Sequence, residues 1–240
     1  MSQVELFNVS SDRNRVAVLW YAPRRPRGVS IVAGHGYSSS KHNLDFLCGF
    51  LASHGFGVYN IDFPGHKLGA SGGALRGVDD CIDAMSATVG FARDRGDAGV
   101  YTMGHSMGGM TAIFTAALDQ TILGTIAIAT GYGRPTSIAT LRAAGATDFR
   151  SSYVIGVTLP ELVAGVDERY AAALPRLAAR PALYVAANRD AMVNENSVRE
   201  LYERAPEPKT FASIDSDHTY AGERARSTVL EWLNALHPRE

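Results

Sequence analysis

Gly104-His105-Ser106-Met107-Gly108-Gly109 follows the apolar run Val100-Tyr101-Thr102-Met103 and precedes Met110-Thr111-Ala112-Ile113-Phe114, which has helical character. The pattern is G-x-S-x-G at a strand–turn–helix junction, the setting in which such a serine is held in a strained turn with its hydroxyl exposed. Flanking glycines leave room where a Cβ would collide with the neighbouring strand or helix. The turn also aims a helix N-terminus, with its free N–H groups, at the serine. The rest of the chain must supply the partners such a serine needs.

The chain has 240 residues, 46% of them hydrophobic, and a formal net charge of −1. Those values describe an ordinary globular protein with a sizeable core and no electrostatic case for binding nucleic acid or an anionic membrane. The densest basic cluster, Arg24-Arg25-Pro26-Arg27, reads as a solvated turn between strands. Cys48 and Cys81 lie in helical patterns and suit buried thiols better than a disulfide framework or a metal site. The N-terminus has no basic start followed by a long apolar stretch, and no run approaches the roughly 18 apolar residues that span a bilayer. A cytoplasmic protein is expected. Nothing in the pattern sets an oligomeric state.

Val4–Val9 and Val16–Tyr21 read as two strands of a hairpin around Ser11-Asp12-Arg13-Asn14. Continuous apolar runs then recur at Gly28–Ala33, Gly57–Asp62, Val100–Met103, Ile122–Ala129 and Ala182–Ala187, with Lys209–Ile214 as a last strand. Helical patterns fall between them: Leu44–Leu51, Cys81–Phe91, the stretch after Ser106, Asn196–Arg204 and Gly222–Leu236. Alternation of this kind predicts an α/β fold with a mostly parallel central sheet and helices on both faces. The roughly 50 residues from Gly131 to Arg180 exceed what one crossover helix needs. They are expected to form a small lid or cap (131–180) inserted into a single core domain (1–130 and 181–240), with a helix over Asp167–Leu177.

A serine hydroxyl needs a base, an acid to orient that base, and donors for a developing oxyanion. His218, after the strand Lys209–Ile214 in Asp215-Ser216-Asp217-His218, is the favoured base. Asp190, just past Ala182–Ala187, is the favoured acid; Glu195 is the runner-up, and Asp217 is too close to His218 in sequence to reach Nδ1 easily. The backbone N–H groups of Tyr37, in His35-Gly36-Tyr37, and of Met107 are the expected oxyanion donors. His35, His105, Tyr132 and Tyr153 are expected around the substrate pocket.

The order serine, aspartate, histidine, together with His35-Gly36-Tyr37 and Asp62-Phe63-Pro64-Gly65-His66, resembles the α/β-hydrolase superfamily over nearly the whole chain. Within it the chain is most similar to small bacterial serine esterases of the cinnamoyl-esterase, monoacylglycerol-lipase and thioesterase kind. It departs from their usual D-x-R-G-H-G-x-S: Pro64 replaces the arginine, and Lys67-Leu68-Gly69-Ala70 lengthens the loop before Ser71. Ala187 and Asn194 stand where relatives usually carry glycine and proline.

The resemblance implies hydrolysis of a carboxylic ester or thioester of a small to medium apolar molecule through an acyl-enzyme, with no cofactor and no metal. An acyl-enzyme cyclase or acyltransferase, or a lactone hydrolase, is the alternative, since an apolar lid would favour an acceptor other than water.

Overall fold

The computed structural model describes residues 3–143 and 148–238. Eight strands form one sheet: β1 (Gln3–Ser10), β2 (Arg15–Ala22), β3 (Val29–Gly34), β4 (Gly57–Ile61), β5 (Gly99–His105), β6 (Gly124–Ile128), β7 (Ala182–Ala187) and β8 (Lys209–Ile214). Their order is β1-β2-β4-β3-β5-β6-β7-β8. β1 and β2 form the expected antiparallel hairpin, β2 runs antiparallel to β4, and β4 through β8 are mutually parallel. Every residue of β4, β5, β6 and β7 is buried, which is why they read as unbroken apolar runs. β1 and β8 are edges, and their burial is intermittent.

Alternate residues of each strand feed two cores. Val32, Tyr59, Val100, Ala127 and Tyr184 pack beneath α2 (Val78–Asp94), α3 (Met107–Leu118) and α8 (Glu195–Arg204). Ile31, Val58, Tyr101, Ile126 and Leu183 pack beneath α1 (Asp45–Ser53), α9 (Ala221–Arg224) and α10 (Arg226–Leu236). Cys48 and Cys81 are buried free thiols, one in each core. No helix among the described residues is long and apolar enough to cross a membrane.

Residues 131–180 contain more helix than their sequence pattern suggests: α4 (Arg134–Ala143), α5 (Asp148–Ser151), α6 (Leu159–Val163) and α7 (Val166–Ala173). The helix expected over Asp167–Leu177 tightens into a 3-10 turn at Leu174–Leu177. Pro175 explains this, since it cannot donate to the carbonyl one turn back. α6 starts with a capping box, in which Thr158 and Glu161 satisfy each other. The expected single terminal helix is broken in two near Ala225.

At the end of β4, Asp62 is buried completely and holds Lys41 Nζ at 2.5 Å, the lysine side chain itself being 4% exposed. Asp62 also accepts from the backbone N–H groups of Lys41 and Ala70, at 2.8 and 2.7 Å. Burial alone would raise its carboxyl pKa; these partners outweigh that and hold it below the usual range. Removing one partner of such a pair leaves an uncompensated charge. Lys41→Met should therefore cost about 3–5 kcal/mol in a urea titration. Arg189→Ala, which breaks a pair to Asp215 with side chains 66% and 77% exposed, should cost under about 1 kcal/mol. Equal costs would contradict this account of Asp62.

Candidate active site

Parallel register brings the carboxyl ends of the central strands together, with Gly34 opposite Gly104, His105 opposite Ile128, and Ala187 opposite Ile214. Ser106 sits at the end of β5 and caps α3, with φ 54° and ψ −115°. Its N–H donates to Ile128 O at 2.8 Å, and its carbonyl accepts from Met110 N at 3.1 Å. An ideal Cβ on Gly108 would lie 2.0 Å from Gly34 O, and one on Gly104 would lie 2.1 Å from Gly108 C. The glycines around Ser106 are thus required by the approach of helix to strand. Gly36 brings a second backbone close, since a Cβ there would stand 3.4 Å from the Ser106 Cβ.

Asp190 follows β7 and His218 follows β8. Asp190 Oδ1 accepts from the backbone N–H groups of Met192 and Val193, at 2.8 and 2.7 Å. This local turn fixes the carboxylate and leaves Oδ2 for His218 Nδ1, 2.7 Å away. The Asp190 side chain is fully buried and that of His218 is 13% exposed. With Nδ1 engaged, Nε2 is the ring nitrogen left for other chemistry. The other two acids are committed elsewhere: Glu195 accepts from Ser213 Oγ and pairs with Arg199, and Asp217 Oδ1 accepts from Tyr220 N.

The chain belongs to the alpha/beta hydrolase family. That family's profile matches residues 31–237. The fold is similar to that of the esterase Pf2001 from Pyrococcus furiosus, at a TM-score of 0.71 and 20% identity, covering 98% of this chain and 91% of that one. It is also similar to Est1E from Butyrivibrio proteoclasticus, at a TM-score of 0.70 and 16% identity, covering 96% and 98%. A thermophilic esterase from Thermogutta terrifontis aligns at a TM-score of 0.70 and 19% identity, covering 97% and 99%. Comparison with curated protein sequences gives no match.

In this family member a cavity of about 60 Å³ is lined by Tyr37, His105, Ser106, Arg134, Arg150 and His218, among others. A smaller hollow of about 30 Å³ shares Ser106, Arg134 and Leu159, and its remaining wall is mainly apolar, with Met107, Met110, Leu162 and Val163 beside Thr130 and Tyr170. Tyr37 anchors its loop by donating its hydroxyl to Val157 O at 2.9 Å. Met107 is the first residue of α3, so its N–H is one of the donors a helix leaves free.

Of the four residues expected around the pocket, His105 borders the cavity and the other three do not. His35 is fully buried: its Nδ1 bonds Gly36 O at 2.8 Å and its Nε2 accepts from Phe63 N at 3.0 Å. It braces the loops after β3 and β4. Tyr132 lies under the Arg204 guanidinium, 4.1 Å from its ring centroid, and Tyr153 packs its ring against Phe149. His105 Nε2 bonds the carbonyl of His218 at 2.8 Å, tying the serine turn to the loop that carries the imidazole. Arg134 and Arg150 escape a reading based on strand-end motifs. One local signal marks Arg134: it opens α4, where a cation opposes the helix dipole.

Burial pulls the pKa of His105 down to about 3, with the facing His218 adding to the effect, and burial does the same to His35. Burial also lowers that of His66. These imidazoles stay neutral in the native protein, whereas in an unfolded chain they protonate near about 6.5. Between those values the unfolded state binds more protons, so stability falls as pH drops below about 6.5. The urea midpoint should be lower at pH ~5 than at pH ~7.5. An equal midpoint at the two pH values would contradict the neutral, buried state of these histidines.

Proposed function

We propose that this protein is a serine hydrolase acting on carboxylic esters or thioesters. The observation that carries the reading is His218, pinned by Asp190, lining the same cavity as Ser106, which stands at the strained start of α3. Ser106 Oγ attacks the carbonyl carbon while His218 Nε2 takes the hydroxyl proton. The negative charge that forms on the carbonyl oxygen is met by the N–H groups of Tyr37 and Met107. The C–O or C–S bond then breaks, the leaving group takes the proton from His218, and an acyl-enzyme remains. Water, deprotonated by the same imidazole, releases the acid and restores Ser106. Asp190 stays ionised and holds the ring in the tautomer this needs.

Residues 131–180 act as a cap over this chemistry, through the Leu159, Leu162 and Tyr170 side chains that wall the apolar hollow. The two free, buried cysteines suit a reducing compartment, and the reading includes a cytoplasmic location.

A p-nitrophenyl ester series from acetate to laurate tests this on purified protein. Turnover should favour the short acyl chains, because the cavity of about 60 Å³ is well below the roughly 150 Å³ of an engineered cavity that admits benzene. Ser106→Ala should remove turnover of every ester. Asp190→Asn should lower kcat by about 10³- to 10⁴-fold with little change in KM, since it imposes the wrong tautomer on His218. Full turnover by Ser106→Ala would end the proposal.

A further inference from the structure

We propose that Arg134 and Arg150 make the cavity selective for short esters that carry a carboxylate a few bonds from the scissile carbonyl. This inference rests on the Ser106 chemistry proposed above and names its substrate class.

Arg134 and Arg150 both line the cavity that holds Ser106. Arg134 is 8% exposed, and it hydrogen-bonds neutral groups: Nη1 donates to Met192 O at 2.5 Å and to Ser137 Oγ at 2.9 Å. Arg150 reaches from α5 toward the β3–α1 loop, with Nη1 3.4 Å from Ser38 Oγ. It lines the same cavity as His105 and Ser106 of the serine turn. Among the described residues, neither Arg134 nor Arg150 has a carboxylate within 4.0 Å. By contrast, Arg76, Arg93, Arg169, Arg189, Arg199 and Arg204 are each paired with an acid.

Arg134 and Arg150 thus stand at the site with no carboxylate of the described residues in contact, Asp190 and Asp167 acting on Arg134 only from beyond 4.0 Å. A desolvated cation without an anion is costly, and a ligand anion recovers that cost. The guanidinium fork matches a planar carboxylate and can bond it through two N–H groups. Arg134 borders both hollows, so a short acyl chain lying along the apolar one keeps its far end within the field of this cation.

The test compares monomethyl succinate with methyl 4-methylpentanoate, its uncharged isostere, followed by release of methanol. In the wild-type protein kcat/KM should be about 10- to 100-fold higher for the charged ester, the range expected for a hydrogen bond to an ionised group. That ratio should fall at least about tenfold in Arg134→Gln and in Arg150→Gln, mainly through KM. Raising NaCl from about 0.05 to about 0.5 M should lower it in the wild type. A wild-type ratio at or below one overturns the inference. So does a ratio unchanged in both variants, or an equal kcat loss on both esters, which would make the arginines positioning groups only. Arg150→Gln alters a partly exposed side chain, so the inference can still be judged if Arg134→Gln does not fold.

Labelling of Ser106 by a fluorophosphonate separates the two readings. Protein that is labelled and hydrolyses the neutral ester, without preferring the charged one, overturns this inference alone. Protein that is neither labelled nor active on either ester overturns the serine-hydrolase reading and this inference with it.

Discussion

The backbone of Ser106 is the constraint around which the rest is arranged. A non-glycine residue at φ 54° and ψ −115° lies outside the comfortable regions and costs about 1–3 kcal/mol. Such a conformation persists only when its surroundings over-determine it. Here the Ser106 N–H is bound to Ile128, the start of α3 hangs from the Ser106 carbonyl, and Gly108 touches the Gly34 carbonyl closely enough to forbid any side chain. The turn is gripped by β3 and β6 on either side of β5. The parallel register of those strands is therefore what keeps the hydroxyl where it is.

The groups facing Ser106 are tied to the same turn. His105 is part of it and holds the His218 carbonyl, so the imidazole loop cannot drift from the serine without breaking a partly buried hydrogen bond. His218 is fixed a second time through Asp190, whose other oxygen is occupied by two backbone donors. On the far side, His35 accepts from Phe63 N while Asp62, next in sequence, binds Lys41. This network braces the loop that contains Tyr37. Buried hydrogen bonds and ion pairs of this kind rigidify what they connect, although His105 Nδ1 and His66 Nε2 are left without a hydrogen-bond partner among the described residues. The buried charged and imidazole groups below the site thus hold its loops.

Much of this was legible in the sequence for one reason: each strand ends in its own short signal. The turn at Gly104–Gly109, Asp190 after β7 and His218 after β8 are all local patterns at the edge of a buried run, and parallel topology then collects them. The pocket wall was not legible. His35 sits in a motif next to the site but faces inward, because a loop crossing the sheet end buries one side of itself. Tyr132 and Tyr153 are aromatic and lie in the right segment, yet the folding of that segment takes their rings to Arg204 and Phe149. The helices within 131–180 are short and weakly periodic, so their number and the inward turn of Arg134 depend on tertiary contacts that no local pattern encodes.

The lengthened loop after β4 gains a physical meaning from those contacts. It pairs with the segment before α6: His66 bridges Val154, Leu75 bridges Gly156, and four backbone hydrogen bonds of 2.8–2.9 Å cross between residues 65–75 and 153–157. Gly156, at φ 127°, belongs to this clamp, since a Cβ there would stand 1.9 Å from the Leu75 carbonyl. A short strand-like patch thus fastens residues 153–157 to the core, and Tyr37 grips its end through Val157 O. Lifting that patch would break several backbone bonds together and disturb the Tyr37 loop. The contact between Arg150 and Ser38 is a single long one from a partly exposed side chain. The clamped edge of the cap is therefore held by several backbone bonds together, and the arginine edge by one side-chain bond.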